Sequence, residues 1–161
     1  MKLEWVEEEV PSNLEVHQVY AVVFDENGNV LLKGESKKDG RVIYSLAGGT
    51  PEDFDKDRVA TLRREYIEEV NTTLKDPIYY IGYQYVDEEN GIAPYAQVRM
   101  TAMIDNIGEA KPDPDNGKTY ERILVPPQKA IELLNWGEIG PKLVRKAVEV
   151  AKEKFGLEFC I

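Results

Sequence analysis

The densest run of side chains able to do chemistry is Arg64-Glu65-Tyr66-Ile67-Glu68-Glu69, downstream of Gly48-Gly49. On a helix turning about 100° per residue, Glu65, Glu68 and Glu69 fall within an arc of about 100°. Carboxylates so close repel one another at neutral pH. Arg64, four residues before Glu68, offsets one of them, and no lysine in the run serves the others. A hard divalent cation would supply the missing attraction: Mg²⁺ takes oxygen ligands and keeps several waters. One such water can serve as nucleophile while the metal offsets charge on a phosphate. The spacing alone is a weak signal, because acidic helix faces are common and usually only solvated. Two neighbours reverse that judgement. Arg64 offers a planar fork to carboxylate or phosphate, and Gly48-Gly49 lets backbone approach a metal or phosphate closely.

The elements that must position this cluster follow from pattern. Residues 16–25 are β-branched and aromatic and read as a strand, turned at Asn27-Gly28 into a partner over 30–34. A third strand over 41–46 stops at the loop Ala47-Gly48-Gly49-Thr50-Pro51. Asp55 or Asp57 can cap the helix that follows, Val59, Leu62, Tyr66 and Val70 make its buried stripe, and Asn71 ends it. Residues 78–87 and 93–104 read as two long strands joined by a turn, with Tyr79, Tyr83 and Tyr85 on one face by alternation. Residues 105–118 read as a polar loop, 119–125 as a strand, and 128–135 and 141–155 as helices, the last stopped by Gly156. Strands, a helix, more strands and two helices argue for an α+β chain with a mixed sheet rather than repeated βαβ units.

The totals bound the answer. The 161 residues suit a single domain, residues 1–161, around one core. A net charge of −10 repels phosphate backbones and disfavours general nucleic-acid binding, although a small anionic substrate remains open. No apolar run reaches bilayer length, and acidic residues follow the first five rather than an apolar signal region. The lone cysteine, Cys160, can form no internal disulfide and suits a reducing cytoplasm.

Gly48-Gly49-Thr50-Pro51-Glu52, followed by the run from Ala60 through Arg64-Glu65 and Glu68-Glu69 to Asn71, resembles the Nudix box, roughly G-x5-E-x7-R-E-U-x-E-E-x-G-U. The resemblance implies an α/β/α sandwich with a mixed β-sheet. It implies that Glu65, Glu68 and Glu69 bind Mg²⁺ or Mn²⁺, with the Gly48 carbonyl as a further ligand, and that Arg64 holds the cluster in place. A general base is expected either within the box, at Glu65, or on a later loop. Glu121 is the first candidate there and Asp113 and Asp115 the alternatives, these two reading as water-facing carboxylates. Three departures stand out. Asn71 replaces the closing glycine, Ala47 replaces the usual proline, and one extra residue lies between Gly49 and Arg64. The early glutamate therefore has no clean equivalent: Asp55 is correctly spaced from Gly49, and Lys56 from Arg64.

The implied activity is metal-dependent hydrolysis of a phosphoanhydride in a nucleoside diphosphate linked to another group. Nucleoside triphosphates, ADP-ribose and other sugar nucleotides, and dinucleoside polyphosphates all stay open as substrates. The alternative is a binding module of the same fold that senses a nucleotide without cleaving it. Arg41 and Arg99, with Lys33, are candidate phosphate contacts, each also readable as a surface charge. His17 reads as structural, and Trp5 and Trp136 as packing residues. No membrane partner is expected, and the resemblance is compatible with a homodimer.

Overall fold

The computed structural model of the chain describes residues 1–159, so Cys160 lies outside the described residues. Nine strands and three helices alternate along them: β1 Lys2–Val6, β2 Glu15–Phe24, β3 Val30–Ser36, β4 Val42–Ser45, β5 Gly48–Gly49, α1 Arg58–Val70, β6 Thr72–Leu74, β7 Tyr79–Asp87, β8 Tyr95–Ile107, β9 Glu121–Val125, α2 Pro127–Leu134 and α3 Ile139–Phe155. The main path of the sheet runs β1-β7-β8-β2-β3-β4, with β5 on β2, β6 on β8 and β9 on β3. Its centre, β2 beside β8, is parallel, while the remaining pairs are antiparallel. The mixed sheet expected from element order is therefore present.

Strand alternation divides β2 between two cores. Val19, Ala21 and Val23 face α1 and meet its stripe of Leu62, Tyr66 and Val70, all essentially buried. Val22 and Phe24 face the other way, against Leu143, Val144 and Ala147 of α3 and Leu134 of α2. The sheet thus lies between α1 and the α2/α3 pair. Tyr66 is buried without an orphaned hydroxyl, because its O–H donates to the Ala21 carbonyl at 2.9 Å. Burial keeps that phenol protonated.

Where β2 turns into β3, the Asn27-Gly28 turn closes with Asp25 N–H donating to the Asn29 carbonyl, at 2.9 Å. The strands then separate after one paired position, Phe24 with Val30. Beyond that point β2 takes β5 as partner and β3 takes β4 and β9. The divergence leaves a cleft where the C-terminal half of α1 can reach the backbone of β5.

The tyrosine pattern on β7 departs from simple alternation. The register slips between Tyr80 and Gly82, and a one-residue bulge exchanges the faces of a strand. Tyr80, Tyr83 and Tyr85 pack on the α1 side, whereas Tyr79 lies against Phe155 of α3 with ring centroids 5.6 Å apart. The strands β1, β5 and β6 have no counterpart in the sequence reading, and β8 continues to Ile107 because β6 supplies it with a partner. Among the described residues, no helix is long and apolar enough to cross a membrane.

Candidate active site

Helix α1 carries the cluster, and its ends are secured independently. Asp57 caps the start, its side chain accepting from the Ala60 N–H at 2.8 Å. Asn71 closes the end in the left-handed conformation, with φ 44° and ψ 48°. It does more than tolerate that geometry, since its amide donates to the Glu109 carbonyl at 2.8 Å. The Arg122 guanidinium donates to the Val70 carbonyl at 2.9 Å and to the Gly108 carbonyl at 2.6 Å, binding the last turn to the following loop.

The paired glycines are required by contact. A Cβ at Gly48 would lie 2.2 Å from the Val19 carbonyl oxygen, and Gly48 has φ +148°. A Cβ at Gly49 would lie 2.4 Å from the Glu65 carboxyl carbon. The Gly48 N–H donates to Glu69 Oε1 at 2.8 Å. Hence β5 holds both carboxylates: one is bonded to its backbone, and the other fills the space a side chain would take.

Asp55 resolves the question of the early carboxylate. It accepts from Arg64 Nε at 3.0 Å and Nη2 at 2.9 Å, from the Thr61 hydroxyl at 2.8 Å and from the Glu52 N–H at 2.9 Å. These bonds, Arg64's first, hold its carboxyl far below the usual range. So clasped, Arg64 directs Nη1 to Glu65 at 2.9 Å and to Glu68 at 3.3 Å. The extra residue before Arg64 is absorbed in the loop ahead of α1, and the ion pair survives it.

Glu65 and Glu69 are each 8% exposed. Burial first, then the charge of Glu69, pushes the Glu65 carboxyl up to about 7. Burial also raises Glu69, against the opposing influence of Lys33 and the Gly48 N–H. Lys33, from β3, forms an ion pair with Glu69 Oε2 and stands over the Tyr120 ring at 4.5 Å. It is the cation that the run on α1 lacks, placed there by strand pairing.

The later carboxylates reorder the sequence expectation. Asp113 is 4% exposed rather than water-facing, and Glu68, Asp113 and Asp115 bring ligand oxygens within 4.8 Å of one another. Burial, followed among its repulsive neighbours by Asp115 and Asp113, raises Glu68. Glu121, the first candidate, is exposed, and its side chain makes no hydrogen bond or ion pair among the described residues. Its neighbour Arg122 pairs across strands with Lys33 and points toward α1, so alternation turns Glu121 away.

Of the two arginines expected to meet phosphate, Arg41 is exposed and pairs with Asp39 at 2.6 Å. Arg99 is 3% exposed, on the α2/α3 side of the sheet. It is no surface charge: burial pushes its guanidinium down to about 10. His17 stacks on Tyr95 at 4.1 Å, in keeping with a structural role.

The donor set suits a hard divalent cation. Glu65, Glu68 and Glu69, with Asp113 and Asp115, present carboxylate oxygens in excess of the two cationic groups, Arg64 and Lys33, bonded to them. Burial and the charge of Glu69 raise Glu65, and a divalent cation is a counter-charge that such a cluster of oxygens can accept.

The NUDIX domain family model matches residues 16–147. No curated protein matches the chain in sequence. Among solved structures, the pyrophosphohydrolase RppH of Bacillus subtilis is 15% identical with TM-score 0.68, over 91% of this chain and 90% of that one. An Ap4A hydrolase of C. elegans is 16% identical with TM-score 0.61, over 86% and 98%. A MutT protein from a study of Aliivibrio salmonicida and Vibrio cholerae is 14% identical with TM-score 0.58, over 84% and 98%. At these identities the likeness is one of fold. The family-model match across most of the chain, with the Arg64-Glu65 and Glu68-Glu69 cluster inside it, establishes that this chain belongs to the Nudix family.

Proposed function

We propose that this chain hydrolyses a phosphoanhydride bond in a nucleoside diphosphate linked to another moiety, using Mg²⁺ or Mn²⁺. The observation that carries this reading is the surplus of oxygen ligands at the end of α1, with Glu65 raised to about 7 by burial and Glu69. The same surplus supports a metal held by Glu65, Glu68 and Glu69, with the Gly48 carbonyl as a further donor. A hard divalent cation held there would neutralise phosphate charge and acidify water.

The chain's own groups supply positioning and proton transfer. Asp55 fixes the Arg64 fork, and Arg64 fixes Glu65 and Glu68. A carboxylate oxygen of Glu65, or of Asp113 or Asp115 beside Glu68, accepts the proton of the attacking water. The water oxygen bonds to phosphorus, the bridging P–O bond breaks, and its electron pair leaves with the departing phosphate. The reading as a single domain over residues 1–161 belongs to the same proposal.

One observation favours a second reading, a nucleotide sensor without turnover: Lys33 already neutralises Glu69. The discriminating experiment incubates the protein and Glu68→Gln with nucleoside triphosphates, ADP-ribose and dinucleoside polyphosphates, with Mg²⁺ or Mn²⁺, and follows products by chromatography. The hydrolase reading expects turnover by the wild type and a loss of about 100-fold or more in Glu68→Gln with an unchanged circular-dichroism spectrum. Nucleotide binding with no product over hours favours the sensor.

A further inference from the structure

Arg99 has an unusual environment for a buried charge. Its Nε is buried without a hydrogen-bond partner. Its other contacts are long: Nη1 donates to the Val98 carbonyl and Nη2 to Gln97 Oε1, both at 3.3 Å. No carboxylate is paired with it among the described residues. What supports it is aromatic, since the guanidinium lies 4.9 Å from the Tyr20 ring centroid and 5.7 Å from that of Trp136. Such contacts act through ring faces, so beyond the two long bonds the in-plane N–H groups of Nη1 and Nη2 keep one hydrogen each and Nε keeps its own. A buried donor without a partner is costly, so a ligand that completes it gains affinity.

Arg99 lines a cavity of about 460 Å³, within the size range of small-ligand sites. Cross-strand pairing sets Gln18, Gln97 and Gln84 side by side on β2, β8 and β7, and Tyr20 beside Arg99 in the next row. All five line the cavity, Arg99 being its one cation among the described residues. A row of neutral amides with aromatic faces is poor equipment for a multiply charged phosphate. It is good equipment for a flat heterocycle with several donors and acceptors on its edges.

One strand pairing links the cavity to the carboxylate cluster. Tyr20 pairs with Gly48 across β2 and β5, and the Gly48 N–H holds Glu69. A nucleotide with its phosphates at Glu69 could therefore pass Tyr20 and place its base beside Arg99. Resting on the hydrolase reading above, we propose that this cavity is the base-recognition site and selects a purine with two adjacent acceptors on one edge, as guanine has in O6 and N7. The matching fork on Arg99 is the familiar bidentate partner of that edge. Adenine puts a donor amino group in place of O6 and cannot match it.

The test uses calorimetric binding of the 5′-monophosphates of guanosine, inosine, 7-deazaguanosine and adenosine to the full chain. These carry no anhydride, so the measurement is independent of turnover. Guanosine and inosine monophosphates should bind about tenfold or more tighter than adenosine monophosphate, and 7-deazaguanosine monophosphate should lose most of that advantage. Arg99→Lys, which keeps the charge and loses the fork, should shrink the guanosine-to-adenosine ratio toward one. Equal binding of guanine and adenine, or an equal loss for all four ligands in Arg99→Lys, overturns the proposal. Guanine preference without hydrolysis of any substrate leaves the base site standing and removes the hydrolase reading. Hydrolysis without base preference does the reverse.

Discussion

At Asp55 one carboxylate gathers the Arg64 fork, the Thr61 hydroxyl and the Glu52 N–H. Its side chain is only 5% exposed, so these bonds are formed largely out of water, where losing one leaves a donor unpaired. Asp55→Ala should reduce stability by about 2–3 kcal/mol in urea titrations. It should also lower kcat, because Arg64 is then free to collapse onto Glu65 and Glu68. Unchanged kcat with full destabilisation would mean that Asp55 secures the loop alone. Spacing from Gly49 singled out this residue, but spacing from Arg64 pointed to Lys56. Only the folded loop decides between them, since a one-residue insertion changes the count without displacing the ion pair.

Helix α1 was legible almost to the residue, because its cap, stripe and left-handed stop are local signals. Strand β5 was not: two glycines carry no periodicity, and they become a strand only through pairing with Val19 and Tyr20. Yet β5 sets the position of Glu65 and Glu69. Gly49→Ala would drive a methyl group into the Glu65 carboxylate. Metal affinity in Gly49→Ala, measured by titrating Mn²⁺ against activity, should fall by about 10–100-fold, the size of effect seen when ligand-supporting contacts are lost. The melting temperature should fall less than for Gly48→Ala, whose new atom meets the Val19 carbonyl and Tyr20 Cα as well as the Tyr20 ring, at a φ of +148°. The bulge on β7 was equally hidden, since nothing in a run of tyrosines marks where alternation changes face.

At the scale of the whole molecule the carboxylate cluster couples folding to pH and metal. In metal-free protein Glu65 is raised from 4.5 to about 7 by burial and Glu69. Between those values the folded chain holds a proton that the unfolded chain has released, so stability falls as pH rises through the window. Burial shifts Glu68 and Glu69 in the same direction. Asp55 has the opposite sign: its stabilisation is present above about pH 4 and is lost in stronger acid. With a chelator present, thermal melts should therefore give a lower Tm at about pH 7.5 than at about pH 5.5. Mg²⁺ should raise Tm more at the higher pH, where the ligands are ionised and binding stabilises the folded state by mass action. A chelated protein that melts higher at the higher pH would contradict this account of the cluster.

By itself the sequence determined the family, the mixed α+β fold, the run of clustered carboxylates and the helix that carries them. Each is a matter of local spacing, which survives in one dimension. Tertiary structure decided what crosses between elements. It brought Lys33 to Glu69 through the pairing of β3 with β9 and β4. It turned Glu121 away, and it put Asp113 and Asp115 beside Glu68. It also buried Arg99 against Tyr20 and Trp136, residues far apart in the chain, where the sequence reads one more strand charge. Such juxtapositions depend on strand register and on chain packing over long separations, and no window of neighbouring residues contains them.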